Sequence, residues 1–322
     1  MKTMKNALFI TTKNLDYLRN TQEIRLIKEQ AEECTVLGYS DRSYLKRLCK
    51  VYARLLFSSL KKYDVIFIGF APQLILPLFG FKMRKKTIVM DFFISVYDTM
   101  VCDRKKFRKH GIAAKLCHFL DSRCIRYADQ VICDTNAHGD YFAAEFGVER
   151  AKIHTLYLEA DTSIYYERTV ARPEALQDKY IVLYFGSILP LQGVEVIMGA
   201  IEQLKEHKDL YFYVIGPMKD NIRKVESDNV EYIEWLSQEK LAEYIAMADL
   251  CLAGHFNRQI KKAKRTIPGK AYIYEAMKRK MILGDNKANR ELFTEDDRHF
   301  FVKMGEETAL AEKILSIKAL AF

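Results

Sequence analysis

The chain has 322 residues, of which 49% are hydrophobic and 29% charged, and its formal net charge is +9. This composition fits a soluble globular protein with room for two domains, and it excludes a disordered or fibrous chain. The excess of positive charge favours an anionic partner or surface, but it says nothing about the fold.

The cysteines and the apolar segments indicate the cellular compartment of the protein. The seven cysteines are an odd number without a CxxC pair. Free thiols are common in the reducing cytosol, so we expect neither a disulfide framework nor a structural zinc site. The N-terminal apolar run is too short for a signal peptide, and residues 65–81 fit a strand, a turn and a core helix better than a membrane span. We therefore expect a cytoplasmic protein.

The first half alternates short apolar runs with helical stretches. The runs that predict β-strands cover residues 7–11, 34–38, 64–70, 87–91, 130–134 and 152–158. The stretches that predict helices cover residues 20–33, 41–62, 113–127 and 136–146. Such alternation is typical of parallel βαβ units with helices on both faces of the sheet.

A polar, charged segment at 159–179 breaks this rhythm, and the second half then repeats it. We place the interdomain linker there. We predict an N-terminal domain at 1–165 and a C-terminal domain at 176–322, whose last helix could pack back on the first domain. The predicted fold class is α/β, with two Rossmann-like domains facing each other across a cleft and ligands at the carboxyl ends of the strands.

The first candidate anion loop is GSILPLQG, residues 186–193, between an apolar strand and a helix. Its terminal glycines, Gly186 and Gly193, let backbone approach a phosphate at the helix N-terminus, although many α/β proteins have such turns. The sequence contains neither GxGxxG nor GxxxxGK[ST], which disfavours a kinase, an ATPase or a dehydrogenase.

A cationic loop precedes a helix later in the chain, and His255 stands beside it. Its cations are Arg258, Lys261, Lys262, Lys264 and Arg265. Thr266 is predicted as the helix N-cap and Pro268 at or near the first helical position. Cations before a helix N-terminus bind anions, and a later carboxylate, here Glu275, is the type of group that holds ribose hydroxyls. With Lys270, this pattern predicts a nucleoside diphosphate site. A solvated cationic loop and a surface carboxylate are the alternatives.

An acid-rich segment, MDFFISVYDTMVCDR, includes the end of the strand at 87–91. One of Asp91, Asp98 and Asp103 could orient or deprotonate an acceptor hydroxyl, and Asp98 is the first choice. Loop capping and pairing with Arg104 explain the same residues equally well. Three histidines fit a surface or core position better than a catalytic one: His110, His118 and His138.

Two basic segments of the first half could face an anionic membrane. The predicted helix at 41–62 has an apolar stripe flanked by cations, and RKKFRK at 104–109 has five cations in six residues. Such segments lie on anionic lipid, where each charge contributes about 1 kcal/mol near the surface. A core-facing helix with a solvated cationic face gives the same pattern.

Several motifs carry a family resemblance. In the second half they are PLQG, YFYVIG, KAKRTIPGK, YEAM and ANREL, and in the first half DF at 91–92, Ser95, YDT at 97–99, DR at 103–104 and DT at 134–135. Together they resemble the family 4, or group 1, glycosyltransferases, which are nucleotide-sugar-dependent enzymes of the GT-B fold. The likeness is closest to a bacterial surface-polysaccharide branch.

The resemblance implies roles for residues at the matching positions. The donor-binding positions are Gly186, Ser187, Gln192, Gly193, His255, Ile267, Pro268 and Glu275. The acceptor-side positions are Asp91, Ser95, Asp103 and Arg104. Many members carry Arg, Lys and Glu where this chain has Ser187, Gln192 and Ile267. We therefore infer that the catalytic set is Asp98 with Lys262, Arg265 and Lys270, and that these three cations take over the leaving diphosphate.

The resemblance further implies a transfer that retains anomeric configuration, without a metal, a cofactor or a protein nucleophile. A nucleotide sugar would be the donor and a glycan or polyprenyl-linked molecule the acceptor, which also favours a peripheral place on the inner face of the plasma membrane. The three departures favour an alternative, a non-catalytic GT-B-like protein that binds a nucleotide or a partner subunit. A nucleic-acid binder is suggested by charge alone, and we expect no nucleic-acid partner.

Overall fold

A computed structural model of the chain describes residues 4–218 and 222–320. The chain divides into two compact units, residues 1–159 and 160–322. Each unit contains a six-stranded sheet in which the paired strands are parallel. The predicted α/β fold class with two Rossmann-like units is thereby confirmed.

The first unit has the sheet order β2-β1-β3-β4-β5-β6. Its strands are β1 (Met4–Ile10), β2 (Ala31–Leu37), β3 (Val65–Ile68), β4 (Thr87–Asp91), β5 (Gln130–Cys133) and β6 (Ile153–Thr155). Its helices are α1 (Leu18–Gln30), α2 (Tyr44–Phe57), α3 (Leu76–Met83), α4 (Ile112–Tyr127) and α5 (Asn136–Phe146), with a π-helical segment at Asp98–Asp103.

The two faces of this sheet are covered unequally. Because side chains alternate along a strand, Leu8 and Ile10 of β1 pack into a core shared with α2, α3, α4 and α5, whereas Phe9 faces α1. Beside α1 a groove of about 650 Å³ runs over the sheet and is lined by Val89 and Ile132 among others. Most of the first unit's helical packing therefore lies on one side.

The second unit has the sheet order β12-β11-β10-β7-β8-β9. Its strands are β7 (Tyr180–Phe185), β8 (Leu210–Ile215), β9 (Val230–Ile233), β10 (Leu250–Leu252), β11 (Met281–Gly284) and β12 (His299–Val302). Its helices are α6 (Val194–Leu204), α7 (Gln238–Met247), α8 (Gly269–Ala276), α9 (Asn289–Leu292) and α10 (Glu307–Ala319).

The last helix, α10, packs against α6 within this second unit. Leu310, Ile314 and Ile317 are buried in the same core as Ile197 and Ile201 of α6. The apolar face of α10 is therefore buried within the second unit. Our prediction also allowed this helix to pack back on the first domain, but burial of its apolar face does not require that contact.

Side-chain caps set several helix ends. The hydroxyl of Thr135 accepts a hydrogen bond from the His138 backbone N–H (3.1 Å) at the start of α5, and Ser237 accepts one from Lys240 (3.2 Å) at the start of α7. Helix α5 ends at Gly147, whose φ of +61° favours glycine. Local sequence chemistry therefore fixes these boundaries.

The structure corrects three expectations. Helix α2 is shorter than the predicted helix at 41–62, and strand β9 was not predicted. Thr266 is not the N-cap of α8: its hydroxyl donates to the Lys262 carbonyl (3.0 Å), and Pro268 occupies the cap. Residues 65–81 do form a strand, a turn and most of a helix, and none of the described helices combines the length and apolarity that a membrane crossing requires.

Candidate functional site

The carboxyl ends of β7, β8 and β10 carry the loops of the predicted anion site. Gly186 and Gly216 follow β7 and β8 directly, and Gly254 lies two residues beyond β10; all three have positive φ. A Cβ atom on Gly216 would lie 2.2 Å from the backbone oxygen of Gly186, so these loops touch backbone to backbone. The sequence analysis did not include Gly216 and Gly254 among the site residues. Each lies just after a strand, and that position could have indicated them.

Lys270 points into the space between these loops. It is the second residue of α8, and its side chain is buried, with only 7% of the residue exposed. The ammonium Nζ donates a hydrogen bond to Gln192 Oε1 (2.6 Å) and lies 4.7 Å from the centre of the Tyr184 ring. A Cβ atom on Gly254 would approach Nζ to 3.0 Å. The absence of a side chain at these glycines thus lets the lysine ammonium come close to the backbone of the loops.

The environment of Lys270 is short of negative charge. Within the described part of the chain no carboxylate forms an ion pair with its ammonium. Burial lowers the pKa of Lys270 to about 7, because the charged form loses its hydration without gaining a counter-charge. An anion bound beside Nζ would supply that charge and would also meet the free N–H groups at the start of α8.

The other residues predicted to bind the donor differ in their exposure to solvent. Ser187 is exposed, Lys262 and Arg265 are half-buried, and Ile267 is buried. The Thr266 carbonyl accepts a hydrogen bond from Nδ1 of His255 (3.0 Å), which fixes the ring and the Pro268 end of the loop. Ile267 is therefore a buried apolar residue at the position where the resemblance implies a carboxylate in many members.

Glu275 lies toward the other end of α8 and is engaged by two basic residues. Its Oε1 and Oε2 accept hydrogen bonds from Arg298 (3.2 and 3.1 Å), and Oε2 also contacts His299 Nε2 (2.7 Å). Burial raises the pKa of Glu275, but the hydrogen bonds from His299 and Arg298 outweigh it and leave the pKa below its ordinary value. The carboxylate is therefore ionised at neutral pH.

In the first unit, the predicted acceptor-side residues belong to buried polar networks. Asp91 forms an ion pair with Arg19 (3.2 Å). Ser95 donates to Asp121 Oδ2 (2.8 Å) and accepts from the Asp98 backbone N–H (2.9 Å). Sequence analysis missed Arg19 and Asp121, and Asp121 was detectable as an acid among the apolar positions of its helix.

Asp98, the residue predicted to contact an acceptor, is fully buried. Its Oδ2 lies 3.7 Å from His138 Nε2, and His138 Nδ1 lies 2.6 Å from Asp134. In this arrangement the carboxylate has no exposed surface for an acceptor. His138 is a buried, hydrogen-bonded core histidine, as its sequence context indicated. Asp103 is buried as well, whereas Arg104 is exposed.

Two units, each with a parallel six-stranded sheet, and a buried cation among glycine loops at the carboxyl edge of the second sheet define an α/β protein with two Rossmann-like units. Residues 179–319 match the family model described as Glycosyl transferases group 1. The match to the group 1 glycosyltransferases is therefore carried by the second half of the chain, where most of the resembling motifs lie.

One curated relative is named for the gene region in which it lies. It is the uncharacterized 41.2 kDa protein in the cps region of Klebsiella pneumoniae, 22% identical over 198 residues. The aligned segment covers 59% of this chain and 53% of that protein, so the match spans about half of the relative's length.

Solved structures share the fold over almost the whole chain. Sucrose-phosphate synthase from Thermosynechococcus elongatus has a TM-score of 0.68 and 14% identity, covering 98% of this chain and 90% of that one. Anabaena Alr3699/HepE in complex with UDP has a TM-score of 0.64 and 13% identity, with the same coverage. The latter protein has also been solved with UDP-glucose (TM-score 0.63, 12% identity).

Proposed function

We propose that this glycosyltransferase moves a sugar, with retention, from a nucleoside diphosphate sugar to a glycan or polyprenyl-linked acceptor in bacterial surface polysaccharide synthesis. The observation that carries the donor assignment is Lys270, a buried cation with a lowered pKa and no paired carboxylate among the described residues. The UDP and UDP-glucose complexes of HepE and the cps-region relative support the donor class and the pathway context.

The proposed reaction needs charge stabilisation more than it needs a nucleophile. The bond between the anomeric carbon and the diphosphate oxygen breaks, and the acceptor hydroxyl forms the new bond on the same face while its proton passes to the departing phosphate. Lys270, Lys262 and Arg265 would stabilise the negative charge that develops on the diphosphate, with the N–H groups of α8. This scheme uses neither a metal nor a cofactor.

Glu275 is the proposed partner of the ribose hydroxyls. It lies five residues after Lys270, about 7.5 Å further along the axis of α8, which suits the offset between a diphosphate and its ribose. Its Oε1 accepts one hydrogen bond, from Arg298, and so keeps a lone pair for a hydroxyl. Arg298 and His299 would then hold the carboxylate in place.

On the acceptor side, the burial of Asp91, Ser95, Asp98 and Asp103 favours a supporting role. We propose that their networks hold the segment 95–104, from which the exposed Arg104 can reach an anionic acceptor. Asp98 would act through His138 and the loop rather than by touching the acceptor hydroxyl.

A non-catalytic nucleotide-binding role is the second candidate. It is favoured by Gln192, which engages Lys270 where many family members have a second cation, and by the buried Ile267. Incubation with donor and acceptor distinguishes the two functions, because only a transferase releases free nucleoside diphosphate at a rate that depends on the acceptor.

Thermal unfolding in the presence of nucleotides tests the donor assignment. We expect one nucleoside diphosphate and its sugar, UDP first, to raise the melting temperature, because a ligand at about 100 times its Kd adds about 2.7 kcal/mol of stability. Lys270→Met should abolish the shift, whereas the exposed control Lys264→Ala should retain most of it. Equal shifts in the parent and Lys270→Met, or no shift with any nucleotide, would overturn the donor assignment.

A further inference from the structure

The exposed face of α4 in the first unit has a composition that its core role does not explain. Three large apolar side chains project from it at helical spacing: Ile112 is 88% exposed, Leu116 56% and Phe119 55%. Residues at i, i+4 and i+7 lie on one side of a helix, so these three form a continuous ridge. The buried side of the same helix carries Cys117, Cys124 and Ile125. The ridge is therefore in addition to the core-facing stripe.

Cations surround this ridge. The exposed basic residues of the segment 104–126 are Arg104, Lys105, Lys106, Arg108, Lys109, Lys115, Arg123 and Arg126. Its single acidic residue, Asp121, is buried on the other side of α4 and bonded to Ser95 and Gln73. In the described parts of the chain none of these eight cations is in an ion pair. The surface thus combines exposed apolar groups with uncompensated positive charge.

A hollow of about 380 Å³ opens next to the ridge. Its wall includes Lys109, Lys115 and Arg126, together with the rings of Tyr97 and Phe119. No acidic side chain is among its lining residues. Such a hollow suits a phosphate group whose attached chains lie along the apolar ridge.

The basic helix α2, which the sequence analysis also favoured as a membrane contact, is built differently. Arg47 is buried and donates to the backbone oxygen of Thr12, and Lys50 forms an ion pair with Asp41 (2.8 Å). Two of its cations are therefore occupied within the protein. The exposed pair Leu56 and Phe57 at its end provides a comparison surface in the same unit.

We propose that the face formed by residues 104–110 and the exposed side of α4, here called the α4 face, docks on an anionic lipid bilayer. Charge complementarity selects this occupant, since lipid phosphates match the cations while the acyl region accepts the apolar ridge. The segment is too polar overall and too short to cross the bilayer, so it lies in the interface plane. Docking does not depend on the donor assignment and is measured without nucleotide.

Vesicle sedimentation with the full chain tests this assignment. We expect binding to phosphatidylcholine vesicles that contain about 30% phosphatidylglycerol, little binding to pure phosphatidylcholine, and loss of binding as salt rises from about 0.1 M to about 0.5 M. Lys105→Gln with Lys106→Gln should weaken binding about 25-fold, because each surface cation accounts for about fivefold. The ridge variant Ile112→Ser, Leu116→Ser, Phe119→Ser should weaken it about tenfold or more.

Two control variants remove equally exposed apolar groups elsewhere. Trp235→Ser changes a 77% exposed side chain in an acidic stretch of the second unit, and Leu56→Ser with Phe57→Ser changes the end of α2. Both should bind anionic vesicles as the parent does. Loss of binding with the α2 variant but not the ridge variant, equal binding of the ridge variant and the parent, or no vesicle binding by the parent would overturn the assignment. A ridge-dependent dimer without vesicle binding would overturn it in favour of self-association.

Fluorescence gives a second readout that does not depend on the variants' affinity. The chain has one tryptophan, Trp235, so Leu116→Trp in a Trp235→Phe background reports from the ridge alone. We expect a blue shift with anionic vesicles for this variant and none for Trp235 in the parent. A ridge tryptophan that stays solvent-exposed on bound vesicles contradicts insertion of the α4 face. Because nucleotide binding is measured separately by thermal shift, failure here leaves the donor assignment standing.

Discussion

Three buried charged groups, Asp121 and Asp91 in the first unit and Lys270 in the second, have contrasting environments. In the first unit, Asp121 accepts hydrogen bonds from Ser95 and Gln73 and from the backbone N–H of Tyr97, and Asp91 is paired with Arg19. In the second unit, Lys270 is just as buried but meets a neutral amide and an aromatic ring. Removing one partner of a buried ion is strongly destabilising, and a buried ion without a counter-charge costs free energy unless a ligand supplies one.

This difference separates scaffold from site. The network of Ser95 and Asp121 in the first unit holds the start of the segment 95–103. In the described part of the chain no carboxylate pairs with Lys270, so under our proposal its counter-charge is the diphosphate of the donor. Variants of the two kinds of group should therefore affect different measurements.

Removal of the Asp121 carboxylate should produce the largest of the expected effects. It should lower the stability of the protein and leave nucleotide binding unchanged. Asp121→Ala leaves the N–H of Tyr97, the Ser95 hydroxyl and the Gln73 amide without their acceptor, and we expect a loss of about 3 kcal/mol or more in the free energy of unfolding. Urea denaturation followed by circular dichroism measures it. The exposed control Asp140→Ala, which loses only a surface pair with Arg150, should change stability by less than about 0.5 kcal/mol.

Replacement of Lys270 should affect binding rather than folding. Lys270→Met keeps the apolar stem and removes the charge, so we expect UDP to bind about 100-fold more weakly while the melting temperature of the unliganded protein stays equal or rises. Isothermal titration calorimetry measures the affinity. A large drop in stability with unchanged affinity would remove the distinction drawn between the two units.

The pH dependence of binding sharpens the same comparison. Lys270 must be protonated to hold an anion, and burial sets its pKa to about 7. The protonated fraction falls from about one half at pH 7 to about one hundredth at pH 9, so UDP affinity should fall about 50-fold over this range. In the same window the unliganded protein should become more stable as pH rises, since the unfolded chain keeps its lysine protonated to about 10.4.

The control for this pH profile is Lys270→Met, which lacks the titrating ammonium. Its UDP affinity and its stability should therefore change little between pH 7 and 9. A parent profile as flat as that of the variant would mean that Lys270 keeps its proton without a ligand. The buried lysine would then not be the group that a diphosphate completes.

Glu275 should give the smallest effect and the finest test of the site. Glu275→Gln replaces the proposed ribose acceptor by an amide, and we expect UDP affinity to fall about fivefold while inorganic pyrophosphate binds unchanged. Lys270→Met should weaken both ligands. The control Glu202→Gln, at an exposed pair with Lys205, should change neither. An equal loss for UDP and pyrophosphate would assign Glu275 to support of the helix through Arg298 and His299.

Much of the fold was predictable because the signals are local. Alternating strands and helices, and the strand, turn and helix over 65–81, follow from periodicity and composition. The N-cap of α8 was misplaced by two residues, since Thr266 and Pro268 both suit a helix start and only packing decides between them. The burial of Asp98 could not be predicted for a related reason: its position after a strand is visible in the sequence, but its packing is not.

The sequence by itself determined the class of protein, the cationic loop and the choice of Lys270 as a phosphate-binding candidate. Tertiary structure decided that Lys270 is buried beside Gln192, that Glu275 shares its carboxylate with Arg298 and His299, and that α4 exposes a second, apolar ridge. Local pattern reports what a residue prefers. Burial and charge pairing depend on residues distant in the chain, and these set pKa, accessibility and the need for a ligand.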